Sequence, residues 1–129
     1  MNTTLEKVDF QVHIEFNDKK EAIFSYTENG KVVDGGGTVR TETAGTYTLA
    51  ATAVGLGFFF TGVTITDKIG TCAQDFSYAL SDSRQAITIT DTAKNSGTAC
   101  LVFNVECNDK PYSSPDPQVI NEKKLLNNA

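Results

Sequence analysis

Residues 7–16 alternate between apolar and polar positions without a break. Val8, Phe10, Val12, Ile14 and Phe16 share one face, and Asp9, Gln11, His13 and Glu15 share the other. A period of two marks a half-buried strand, because successive side chains leave a pleated backbone on opposite sides. The rhythm recurs down the chain. Residues 21–27 align Ala22, Phe24 and Tyr26, and a short return strand at 31–33 follows Asn29-Gly30, a pair that tolerates the positive φ of a tight hairpin. Residues 74–81 align Phe76, Tyr78 and Leu80. Residues 86–90 turn Ile87 and Ile89 inward, and residues 98–107 place Ala99, Leu101, Phe103, Val105 and Cys107 on one face. The glycines Gly35, Gly36 and Gly37 read as a flexible hairpin loop, and residues 38–42 as a short edge strand. A phosphate loop would need a helix and a Lys-Ser/Thr pair after the glycines, and Thr38-Val39-Arg40 supplies neither.

The most apolar stretch, residues 45–67, lies at the centre of the chain. Its pattern predicts two long strands, 46–54 and 58–66, joined at Gly55-Leu56-Gly57. In the first, Tyr47, Leu49, Ala51 and Ala53 face one way. In the second, Phe59, Val63 and Ile65 face the core, which leaves Phe58 and Phe60 on the face that should be wet. Exposed aromatic patches of this kind are normally covered. Three covers are available: the tail of the chain, a second subunit, or the opposite sheet if a bulge at Gly57 or Gly62 flips the alternation. Phe58 and Phe60 are therefore candidate interface residues.

Beyond Cys107 the pattern changes. All three prolines, Pro111, Pro115 and Pro117, fall in residues 108–129. Proline cannot donate to a ladder, so this segment is not expected to form a central strand. It reads as an extended tail lying on the body or on a neighbouring subunit, with Val119 and Ile120 as its contact pair ahead of Leu125-Leu126. The predicted organisation is one domain over residues 1–107 plus the tail 108–129. Seven to nine short strands separated by turn signals suggest an antiparallel, immunoglobulin-like β-sandwich, with a closed barrel as the alternative.

Composition agrees with an all-β fold. Thr, Val, Phe and Tyr suit pleated surfaces, and a chain of 129 residues can bury a core without metals or disulfides. The net charge of −5 is carried with scattered basic residues that never run beyond a pair, which argues against a nucleic-acid footprint. No basic and apolar leader opens the chain. The longest apolar run, about 12 residues, falls short of the ~20 a membrane helix needs. With an odd count of three cysteines, free thiols in a cytoplasmic protein are expected. Cys107 falls on a core face, Cys72 in a loop as the exposed thiol, and a Cys72–Cys100 disulfide would require export.

Candidate chemistry is sparse. His13, the single histidine, sits on a polar face without a partner motif. There is no nucleophile elbow and no EF-hand spacing, although Asp91, Asp109 and Asp116 fall in predicted loops. Residues 105–111 are similar to the end of a cadherin repeat, but Lys110 places a cation where that family has a calcium ligand, so calcium is not expected. No catalytic residue, cofactor or metal site is predicted. Near the end, Ser114-Pro115-Asp116-Pro117-Gln118-Val119-Ile120-Asn121-Glu122 resembles the C-terminal signature of the DP-EP family of small bacterial proteins. The Asp-Pro half is present, and Lys123 stands where the Glu-Pro half would need proline. The resemblance implies a compact, β-rich bacterial protein and supplies no activity. The expected function is a non-enzymatic sandwich that works through protein contacts, including homo-oligomer formation, with no nucleic-acid or membrane partner. The alternative is a small-ligand or carbohydrate-binding module using loops or the aromatic face, although Trp, the usual sugar platform, is missing.

Overall fold

A computed structural model describes residues 5–122 of the chain. Eleven strands build two sheets among these residues. The first sheet contains β1 (Glu6–Phe16), β2 (Ala22–Glu28), β3 (Lys31–Val33), β5 (Thr43–Leu49), β7 (Phe76–Leu80) and β8 (Ala86–Asp91), in the order β3-β2-β1-β5-β8-β7. The second contains β4 (Gly37–Val39), β6 (Phe59–Gly70), β9 (Gly97–Cys107), β10 (Lys110–Ser113) and β11 (Gln118–Asn121). Here β9 is the spine. β6 runs along one of its edges, β10 and β11 share the other end to end, and β4 adds outside β11. The fold is an all-β sandwich. Its sheets are mixed rather than purely antiparallel, since β1 pairs with β5 and β11 with β4 in parallel.

The alternating strands behave as their pattern predicts. Phe10, Val12 and Ile14 of β1 meet Tyr47 and Leu49 of β5, Ile87 and Ile89 of β8, and Leu101, Phe103 and Val105 of β9 in one core. Aromatic rings run through it from sheet to sheet. Phe10 stacks on Tyr47 at 4.8 Å, Tyr47 meets Phe103 at 4.6 Å, and Phe103 meets Phe60 at 5.9 Å.

Residues 45–67 depart from the expected pair of strands in two ways. First, Ala51–Leu56 is a short helix, α1, that carries the chain from one sheet to the other. Alanine favours helix over strand, and Gly57 ends the helix in the left-handed region at φ 101°. The N–H of Gly57 donates to Val54 and that of Phe58 to Ala53, the closing pattern of a helix C-terminus. Second, Thr61 is an extra residue in β6. Phe60 pairs with Val105, but Gly62 already pairs with Asn104 and Val63 with Phe103. This bulge flips the alternation, so Phe60 and Val63 both face the core. Phe58 and Phe60 are 2% and 0% exposed, and Phe59 is the residue turned partly outward. Their assignment to an outer sticky face is therefore corrected: the opposite sheet covers them.

The boundary at residue 107 also moves. Asn108 and Asp109, both at positive φ, make the two-residue turn of a β9–β10 hairpin. After an interruption at 114–117, β11 sits between β9 and β4 as an inner strand. The proline argument fails because Pro115 and Pro117 fall in the interruption rather than in β11. There Ser114 Oγ accepts the Phe103 N–H in place of a backbone carbonyl, and the Pro117 carbonyl accepts the Leu101 N–H. Residues 110–113 and 118–121 thus belong to the sandwich. Leu125 and Leu126 lie outside the described residues.

Candidate ligand cavity

The two sheets do not close evenly. At one end α1, Phe16, Phe58 and Tyr112 seal the sandwich, with ring centroids 5.4 to 5.8 Å apart. At the other end, where β1 and β5 begin, the sheets part around a cavity of about 340 Å³. That volume lies at the lower end of the ~300–1,000 Å³ usual for small-molecule sites. Phe10, Tyr47, Ile89, Leu101 and Val119 form its inner surface, and Glu6, Thr38, Arg40, Thr41 and Thr43 its mouth.

Glycine makes the space. At Gly45, which pairs with Val8 and Ile89 in the middle of the first sheet, an added Cβ would meet only the Tyr47 ring, at 3.5 Å. A full side chain there would occupy the cavity. The glycines at 35–37 do a different job. A Cβ on Gly36 would fall 1.9 Å from the Gln118 carbonyl oxygen, and one on Gly35 would strike the Tyr26 ring. They let β4 lie close against β11, which makes them a packing device instead of the flexible loop expected from composition. Two tyrosines of the first sheet fix this region across the sandwich: Tyr47 donates its hydroxyl to the Gly35 carbonyl and Tyr26 to that of Asp116. Burial pushes both phenols well above their ordinary range, so each stays a donor.

A buried polar knot stands at the inner wall. Asp91, 3% exposed, is the last residue of β8 and lines the cavity, so it is not the loop carboxylate the sequence suggested. Its Oδ1 accepts from the Ala93 N–H at 2.9 Å and from Asn121 Nδ2 at 2.9 Å. Asn121, also 3% exposed, donates its second amide hydrogen to Asp75 Oδ2. Asp75 in turn holds the 92–96 loop through the backbone and side chain of Asn95. Asp91 Oδ2 and Asn121 Oδ1 are buried without a hydrogen-bond partner. Burial, with Asp75 nearby as a further contribution, raises the Asp91 carboxyl above its ordinary value. At the mouth, Arg40 is paired with Glu122 at 2.7 Å, both side chains being exposed.

The residues singled out from the sequence scatter. Phe58, Phe60 and Val119 are buried inside the chain, and Ile120, 45% exposed, stays on the outer face of β11. His13 lies on the outer face of β1 against Thr27 at 2.9 Å. Cys72 is fully buried rather than exposed, because the 3₁₀ turn Cys72–Asp75 folds it under the sheets. Cys107 is buried as its pattern predicts, and all three thiols are unpaired. Among the described residues no cluster of metal-ligating side chains forms, and no helix is long and apolar enough to cross a membrane.

A family model described as the DP-EP family matches residues 6–123. The chain belongs to the DP-EP family. No curated protein matches it. The Asp-Pro of the DP-EP signature has a visible structural task here. The Asp116 carbonyl accepts from Tyr26 and from Ser114 Oγ, and Pro117 is fully buried at the break between β10 and β11. The signature residues fix the strand that forms one wall of the cavity. The residues that shape the cavity itself gave weaker sequence signals. An isolated glycine inside a strand pattern, as at Gly45, is a sign of close approach or missing volume.

Proposed function

We propose that this DP-EP protein is a non-enzymatic binding module that holds a small, mainly apolar molecule between its sheets. One observation carries the reading: a core built from Phe10, Tyr47, Ile89, Leu101 and Val119 is left open to a polar mouth at Glu6, Arg40 and Thr43. Protein interiors are ordinarily packed to the density of organic crystals, so an apolar cavity with an entrance is a feature the sequence could have filled and did not. Phe58 and Phe60 lie buried within the chain, which removes the observation behind the self-association expected from sequence. We read the compartment as cytoplasmic, supported by the three unpaired thiols.

Titration with phenethyl alcohol, followed by backbone amide NMR shifts, tests the reading. Shifts should concentrate at Thr38, Gly45, Ile89 and Val119. Saturable shifts confined to the Phe16–Tyr112 end, or no saturable shifts at all, would refute it.

A further inference from the structure

Resting on the cavity being a ligand site, the inner wall says what kind of head group enters. The hydrogen-bond donors that reach the Asp91 and Asp75 carboxylates are already committed, among them both amide hydrogens of Asn121, the Ala93 N–H and the Asn95 N–H. Two acceptors remain open, Asp91 Oδ2 and Asn121 Oδ1. A buried acceptor left without a hydrogen bond carries its desolvation cost uncompensated, so the wall favours a guest that donates. The charges facing Asp91 agree. Asp75 sits beside it from the 3₁₀ turn, Asn121 of β11 is neutral, and Glu6 of β1 stands at the mouth. Among the described residues the one basic side chain lining the cavity, Arg40, is bound to Glu122 at the rim. A carboxylate or phosphate head would meet only acceptors and like charge at the inner wall. An ammonium group has three donors and the opposite charge.

We propose that the cavity takes a small primary amine, its ammonium group held by Asp91 and its apolar body against Phe10, Tyr47, Ile89 and Leu101. The terminal torsion of an aspartate is soft, which lets Oδ2 turn from its sealed position to meet the head group. At ~30 Å³ per water-sized unit, a cavity of about 340 Å³ suits a body of roughly ten heavy atoms. Pairing with an ammonium favours the ionised carboxylate, so binding draws a proton away from Asp91 wherever that group is still protonated.

The test is calorimetric titration of the full chain with three matched probes: phenethylamine, phenethyl alcohol and phenylacetate. Phenethylamine should bind at least about ten-fold more tightly than the alcohol, and phenylacetate more weakly than either. Asp91→Asn should abolish the preference for the amine while the alcohol still binds. Should that variant not fold, the wild-type pH profile takes its place. Amine affinity should fall as the pH drops through the titration of Asp91, with alcohol affinity flat. Alcohol binding as tight as amine binding would overturn the amine assignment and leave the cavity reading standing. It would mean that a proton shared between Asp91 and Asn121 closes the pair on itself. An amine preference unchanged in Asp91→Asn would move the head group to Glu6 and overturn the role of Asp91. If none of the three probes binds, the cavity reading falls, and this inference with it.

Discussion

The two ends of this sandwich are built from the same strands and finished in opposite ways. At the end formed by Phe16, Phe58 and Tyr112, the sheets are bridged by α1 and filled with aromatic rings. At the end formed by Glu6, Thr43 and Asp91, glycines and threonines stand at the corresponding positions and the sheets part. Filling one end gives stability, because burying an aromatic side chain removes 150–250 Å² from water. Leaving the other end open gives up part of that gain. The difference teaches that the fold carries its stability and its candidate site in separate halves, so substitutions should separate them.

The largest effect should come from the filled half. Phe60→Ala removes a fully buried ring that packs on Phe103, at a cost of about 3–5 kcal/mol. Urea unfolding measures it, and a loss below about 1 kcal/mol would show that the ring is not in the core. Next comes the wall of the open half. Gly36→Ala drives a methyl group into the Gln118 carbonyl. It should cost about 1–3 kcal/mol, with loss of hydrogen-exchange protection in β4 and β11 while β1 and β2 keep theirs. Uniform loss across both sheets would show that the halves are not separable.

A smaller, pH-dependent effect belongs to Asp91. Its folded value is raised, so the fold favours the protonated form. That contribution is complete below the unfolded value of ~3.9 and is lost as pH rises through the folded value. Wild type should therefore lose stability relative to Asp91→Asn over that window, and parallel curves would contradict the burial of Asp91. The smallest stability effect is expected at Gly45. Valine suits a strand and meets only the Tyr47 ring nearby, so Gly45→Val should stay within about 1 kcal/mol of wild type in thermal melts.

The alternating core strands are legible in the sequence, whereas the elements that close the filled end and the cavity at the open end are not. Alternation in β1 and β9 is strict, so Phe10, Val12, Leu101 and Phe103 could be placed on a core face directly. In β6 the same rule misplaced Phe58 and Phe60, because one extra residue at Thr61 inverts every side chain before it. The helix at Ala51–Leu56 was hidden because alternating alanines satisfy a period of two as readily as a helical turn. The prolines mask β11, although Pro115 and Pro117 occupy the break before it and Pro111 lies in β10 at the sheet edge. The cavity depends on which residues of distant strands meet at one end, such as Gly45 with Ile89 and Asp91 with Asn121. No local pattern encodes those meetings. The DP-EP signature was readable, and it marks the wall rather than the space.

The central claim is that the open end binds a small molecule in the space that Gly45 leaves. Calorimetric titration of phenethyl alcohol into wild type and into Gly45→Val, side by side, tests it most directly. The account predicts saturable binding by wild type and at least a ten-fold loss in a Gly45→Val protein of unchanged stability. Equal binding by the two proteins, or none by wild type, would contradict it.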